Sequence, residues 1–270
     1  MRDQGYLLDN QHAEAAARFD ALSALFDRWT FGRIDGIGIR QGWRCWEVGA
    51  GGPSVASWLA DRVGPAGYVL ATDLDVTGLQ AIARPGVEVR RHDVGDDPPP
   101  GGAFDLVHAR LVLMHVAPRA AALRMMAGAL RPGGWLVVED ADPTLQPLAC
   151  PDEHGPEERL ANRIRSTFRA LLAERGAELA YGRTLPRVLR EAGLVDVAAE
   201  GFFPLSSRAC AELERTTIEQ VRARLVTRGL VTEDEIAQHL AHVASGRLDL
   251  ALAPLVSAWG RRPEAPHDNA

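Results

Sequence analysis

The chain has 270 residues, 29.2 kDa, a formal net charge of −6 and a pI near 5.8. That size suits one large α/β domain or a domain with a cap, and it buries enough surface to need no disulfide or metal staple. The acidic balance excludes the basic face of a free-standing nucleic-acid binder, and no apolar run of some 18 residues is present to span a bilayer. The start is polar, with no signal peptide, so a cytoplasmic protein is expected. Cys45, Cys150 and Cys210 lie far apart and form no CxxC pair, which argues against a zinc cluster or a disulfide framework. All 30 basic residues are arginine. The absence of lysine removes Schiff-base chemistry and the P-loop lysine.

In chain order, residues 11–29 space Ala15, Phe19, Leu22, Leu25 and Phe26 as one face of an amphipathic helix. A short strand over 43–48 runs into Gly49-Ala50-Gly51-Gly52-Pro53, and a helix over 54–63 follows, with Pro53 suited to its first turn. Strands are predicted at 68–73, 87–93, 104–110 and 135–140, and helices at 76–83 and 117–130, the latter broken by Arg131-Pro132-Gly133-Gly134. This alternation predicts βαβ units and a parallel sheet with right-handed crossovers.

Beyond Asp140 a Pro-rich loop (142–158) leads to helices at 157–174 and 184–192, a strand at 195–205 and helices near 209–227 and 233–245. A last apolar run, 248–259, contains Pro254, which predicts an edge strand or a bulge. The organisation expected is an N-terminal helical lid (1–42), a cofactor-binding core (43–142), a C-terminal part (143–262) with helical insertions at about 143–181 and 206–247, and a disordered tail (263–270).

The glycine turn after the first strand lets backbone N–H groups approach a ligand with no Cβ in the way. It is not the dinucleotide fingerprint, because Ser54 stands where the third glycine belongs. Glu47, just before the turn, would repel a pyrophosphate and favour a cationic or zwitterionic ligand. The second strand ends in Asp73, with Asp75 close behind, and the third in His92-Asp93. Acids at the C-terminal ends of successive strands stand where open α/β sheets bind ligands, and an aspartate there can accept from both hydroxyls of a ribose. Each aspartate taken alone is also an ordinary cap of a turn.

Taken together, EVGAGG (47–52), VLATDLD (69–75), RRHDV (90–94), FDLVHARLVLMHV (104–116) and LRPGGWLVVED (130–140) resemble the class I S-adenosylmethionine-dependent methyltransferases, in the branch with ubiquinone/menaquinone-type and natural-product enzymes. The loop departs from the family's acid-x-Gly-x-Gly-x-Gly pattern at Pro53. The resemblance implies a Rossmann-like, seven-stranded, mostly parallel sheet with helices on both faces, plus the N-terminal helix and helical cap insertions. It implies S-adenosyl-L-methionine as cofactor and S-adenosyl-L-homocysteine as product. Glu47, Gly49 and Gly51 would line the methionine part, Asp73 would hold the ribose, and Leu74 would flank the adenine. Asp93 would take the adenine amine with Val94 packed beside it, Ala109 and Arg110 would contact the amino-acid moiety, and Tyr6 with the N-terminal helix would close over the site.

His115, after the fourth strand, is the first candidate base, since an imidazole of ordinary pKa near 6.5 suits proton removal at neutral pH. His108, within that strand, reads as a satisfied core histidine. Asp140, Asp142 and His154 read as solvated loop residues that could orient or deprotonate an acceptor. Trp135, Phe202 and Phe203 are pocket walls or plain core, and Leu213, Ile218, Val221 and Leu225 fit either an apolar acceptor pocket or any packed helix. No metal set is evident. The function expected is methyl transfer to oxygen or carbon of a small apolar or aromatic metabolite, with no nucleic-acid or membrane partner and with a homodimer as one assembly it allows. A fold relative that binds the cofactor without methylating, such as a cyclase, is the alternative; a protein methyltransferase or a regulatory binding module comes third.

Overall fold

The computed structural model describes residues 7–8 and 15–264. Tyr6, residues 11–14 of the first predicted helix and the end of the tail lie outside the described residues. The elements are α1 (Ala15–Gly36), β1 (Arg44–Val48), α2 (Ser54–Val63), β2 (Tyr68–Asp73), β3 (Val87–Arg91), β4 (Phe104–Arg110), α3 (Arg119–Ala129) and β5 (Leu130–Ala141). They continue with α4 (Pro156–Glu174), α5 (Tyr181–Glu191), β6 (Val195–Phe202), α6 (Arg208–Thr227), α7 (Glu233–Ser245) and β7 (Leu255–Arg261). The seven strands form one sheet in the order β3-β2-β1-β4-β5-β7-β6. The pairings β3/β2, β2/β1, β1/β4 and β4/β5 are parallel. This is the Rossmann-like α/β sheet expected from the sequence.

The chain divides into two compact units. Among the described residues, the sheet-bearing unit takes 29–140, 181–201 and 256–264; the other takes 7–8, 15–28, 141–180 and 202–255. α1 is therefore split between them. In the sheet-bearing unit, β1, β2 and β4 run apolar with almost every side chain buried, as befits parallel strands covered on both faces. Cys45, Val69, Leu106 and Val137 meet Val55, Ala56 and Leu59 of α2 there. In the other unit, Leu160 and Ile164 of α4 pack on Ile218, Val221 and Leu225 of α6 and on Ile236 of α7. Three of the four side chains offered for an acceptor pocket are thus core, and Leu213 is half-buried. A capping box, Thr232 with Glu235, opens α7.

Three predicted elements differ. Residues 77–82 form a 3-10 helix rather than an α-helix. β5 begins at Leu130, five residues early, and carries Arg-Pro-Gly-Gly within it. The reason is backbone pairing with the end of the chain: Gly133 N–H donates to the Arg262 carbonyl at 3.0 Å, and Arg262 N–H donates to the Gly134 carbonyl at 2.8 Å. A Cβ at Gly134 would stand 2.8 Å from the Phe104 carbonyl oxygen, so only glycine lets the strands close here. Finally, β7 is interior, between β5 and β6. Pro254 precedes it, where it accepts from the Asp142 N–H at 2.9 Å, so its missing N–H removes no bond from the strand.

Leu106 is fully buried in β4, in register with Cys45 on one side and Trp135 on the other. Leu106→Ala is expected to lower stability by about 2–5 kcal/mol, read as a drop in the midpoint of denaturant unfolding at unchanged slope.

Candidate active site

Parallel strands deliver their C-terminal ends to one edge of the sheet, and there the sequence places its glycines and acids. Leaving β1, Gly49 and Gly51 both take left-handed backbone, with φ of +62° and +61°. A Cβ at Gly49 would stand 2.4 Å from Cγ2 of Val112, so this turn excludes side chains for space as well as for conformation. The turn is pinned to β2: Ala50 N–H donates to the Thr72 carbonyl at 2.9 Å, and Gly51 N–H donates to Asp73 Oδ2 at 2.8 Å. Asp73 Oδ1 accepts from Asp75 N–H at 3.1 Å. Burial pushes the Asp73 carboxyl above its ordinary value, against the opposing pull of the Asp75, Gly51 and Leu74 N–H groups.

Past β3, Asp93 is half-buried, and its Oδ1 accepts from Gly95 N–H at 2.8 Å. Val94 is buried and Leu74 is 50% exposed. Asp73 and Asp93 therefore both brace turns, and both do so at the same edge as the glycine loop.

Glu47 is placed otherwise than a solvent-facing acid. It is 2% exposed, and in the β1/β4 register it stands opposite His108. His108 Nδ1 lies 2.6 Å from Glu47 Oε2, and its Nε2 lies 3.4 Å from Glu139 Oε2. Burial disfavours the imidazolium, but the charges and hydrogen bonds of Glu47 and Glu139 outweigh it and raise the His108 pKa to about 9. Glu139 also accepts from the Thr30 and Ser257 hydroxyls, and Trp29 Nε1–H donates to Ser257 at 2.7 Å. Thr30 in turn accepts from Arg110 Nη1 at 3.0 Å. Ala109 is buried between them in sequence, and Arg110 is in register with Glu139. The core-histidine reading of His108 describes its burial but omits its partners, which join Glu47 to Arg110 through fully buried groups. Ionisable residues in the last turns of otherwise apolar strands were the available sign.

His115 is half-buried in a 3-10 turn, Leu113–His115, that follows β4. Asp140 and Asp142 correct the sequence reading: both are fully buried. β5 runs on to Ala141 and carries Asp140 inside. Asp142 Oδ1 closes a local turn, accepting from Thr144 N–H, Thr144 Oγ1–H and Leu145 N–H at 3.2, 2.7 and 3.1 Å. His154 is the solvated one, its side chain 73% exposed. Trp135 packs on the sheet core, Phe202 meets Phe26 edge-on at 6.1 Å, and Phe203 is exposed. Among the described residues no helix is long and apolar enough to cross a membrane.

Residues 46–138 match the family model described as "Methyltransferase domain". The match spans β1 to β5, the stretch that builds the loop and the acidic strand ends. Over that stretch the chain is similar to the methyltransferase-domain family. Among curated relatives, the methyltransferase Str2 of Strobilurus tenacellus is 28% identical over 127 residues, 47% of this chain and 46% of that protein. A ubiquinone/menaquinone biosynthesis C-methyltransferase of Hahella chejuensis is 30% identical over 146 residues, 48% of this chain and 57% of that one. The chain thus spans about half the length of these relatives. Among solved structures, a phosphoethanolamine N-methyltransferase 2 of Haemonchus contortus, in complex with phosphomonomethylethanolamine and S-adenosylhomocysteine, has a TM-score of 0.60 at 15% identity. That likeness covers 98% of this chain and 61% of that one, and it concerns the fold alone.

Because the His108 pKa is raised in the fold, its stabilisation is complete below about pH 6.5 and is lost as pH rises toward about 9. His108→Gln should remove that alkaline decline from the pH dependence of unfolding free energy while lowering stability at pH 6. A variant curve parallel to that of the parent chain would show that His108 is uncharged.

Proposed function

We propose that the protein is an S-adenosylmethionine-dependent methyltransferase acting on oxygen or carbon of a small, largely apolar or aromatic metabolite. The observation that carries this reading is the bond from Gly51 N–H to Asp73 Oδ2. It sets a side-chain-free bend and a buried carboxylate next to each other at the end of the sheet. The acceptor-rich groups there, Asp73 and Asp93, suit ribose hydroxyls and an adenine amine. Leu74 and Val94 provide apolar surface for the base, and Gly49 and Gly51 leave room for the methionyl chain. Glu47, paired with His108 at 2.6 Å, stands at the end of β1 beside the methionyl side of this reading. The cofactor brings a methyl group already activated on positive sulfur.

What remains for the chain is to align the acceptor, keep water away and take up a proton where one is released. His115, in the turn that follows β4, is the candidate for the last task. The ubiquinone/menaquinone biosynthesis C-methyltransferase among the relatives supports a carbon acceptor. A place in cytoplasmic secondary metabolism belongs to the same proposal.

Asp73→Ala should weaken S-adenosylmethionine binding at least about tenfold, since it removes a charge-assisted ribose contact together with the brace on Gly51. Titration calorimetry on the folded variant measures this. An unchanged dissociation constant would place the ribose elsewhere. Release of S-adenosylhomocysteine with phenolic and quinol acceptors tests the reaction itself, and His115→Gln should slow it about 10²-fold or more with little change in cofactor affinity.

A further inference from the structure

The turn that carries His115 is held unusually. Leu111, directly after β4, has φ of +59°, a left-handed backbone that costs a leucine strain. Its N–H donates to the Glu139 carbonyl at 2.7 Å. The next residue, Val112, is the one whose methyl fills the space a Cβ on Gly49 would need. The Leu113–His115 turn then lies on the end of β5, where Met114 N–H donates to Asp140 Oδ2 at 3.3 Å and Leu113 N–H also faces that carboxyl. On the other side, Arg119 Nε–H donates to the Leu113 carbonyl at 3.4 Å. Asp140 is fully buried, and its Oδ1 has no hydrogen-bond partner among the described residues. A strained segment of this kind persists only where its surroundings over-determine it.

We propose that Asp140 is a positioning residue: its buried carboxyl latches the Leu113–His115 turn to the end of β5 and thereby fixes where His115 stands relative to the glycine loop. The latch follows from the hydrogen bonds alone, while its consequence for methyl transfer rests on the reading of His115 given above. The groups facing Asp140 are Glu139 from its own strand, Arg119 from α3 and Tyr181 from α5. Arg119 stacks over the Tyr181 ring, 5.9 Å from its centroid. Burial, together with Glu139 and against the turn's N–H groups and Arg119, raises the Asp140 pKa from 3.8 to about 8. The closed turn therefore holds a neutral carboxyl, and its stability falls as pH rises from about 4 toward 8. Ionisation of Asp140 buries a charge that the Met114 and Leu113 N–H groups and Arg119 offset only in part, so the turn loosens to admit water.

Amide hydrogen exchange of the intact chain, followed by NMR at Leu113, Met114 and Val116 at pH 6 and pH 9, tests this. Rates are corrected for base-catalysed intrinsic exchange and referenced to the Leu70 amide of β2. In the parent chain the turn should be protected at pH 6 and lose about tenfold of that protection at pH 9. Asp140→Asn, a neutral acceptor of the same shape, should keep its protection at both. Asp140→Leu should lack it at both, with the β2 reference unchanged. If the leucine variant does not fold, the asparagine variant decides by itself. The proposal is overturned if Asp140→Asn loses protection with pH as the parent does, or if Asp140→Leu is as protected as the parent. A protein with no methyl-transfer activity at all would leave the exchange result standing, so the latch and the catalytic reading fail separately.

Discussion

The candidate site depends on one hydrogen bond, from the Gly51 N–H to the Asp73 carboxylate. Backbone N–H groups leaving a parallel strand have lost their ladder partners and must find others. Here the left-handed Gly49 and Gly51 turn the chain so that these donors face β2, and Asp73 meets one of them. The same carboxylate takes the Asp75 N–H and so also shapes the exit from β2. Loop and acid are therefore fixed together, and neither could be re-aimed without the other. Parts held together in this way would lose little entropy on receiving a ligand.

A second constraint runs inside the sheet. Two carboxylates, an imidazole and a guanidinium lie along Glu47, His108, Glu139 and Arg110, with Thr30 between the last two. Buried charges are costly unless they are paired and hydrogen-bonded. The register meets that condition by setting Glu47 opposite His108 and Arg110 opposite Glu139. With His108 protonated, the formal charges cancel. The stabilising value of the line is modest, but breaking it at any one residue strands a charge, and its two ends are residues of the candidate site.

Much of the fold was legible because strand and helix periods differ and glycine and proline punctuate them. The segments 54–63, 209–227 and 233–245 became helices within a residue or so, and the glycine turn followed its strand as anticipated. What escaped was set by distant parts of the chain. Arg131-Pro132-Gly133-Gly134 has the composition of a turn, yet Arg262 pairs with it and makes it strand. Pro254 looked like a flaw in the final strand but stands outside it. Asp140 and Asp142 look like loop residues because acids usually are solvated. Asp140 is buried because β5 runs on through it to Ala141, and Asp142 because its carboxylate closes the turn with Thr144 and Leu145. Tyr6, expected to close over the site, lies outside the described residues.

The site residues were legible by type and position, while their partners were not. Asp73 and Asp93 could be placed at strand ends from the sequence, but that Asp73 grips the glycine loop, and that Glu47 spends an oxygen on His108, follow only from register. The most direct measurement is an NMR titration of the intact chain with S-adenosylmethionine, following backbone amide resonances. If the glycine bend and the Asp73 carboxylate form one socket, the Gly49, Gly51 and Asp75 amides will show the largest shifts, saturating together with a single dissociation constant. Saturating shifts confined to other parts of the chain, or no shifts at all, would contradict the account.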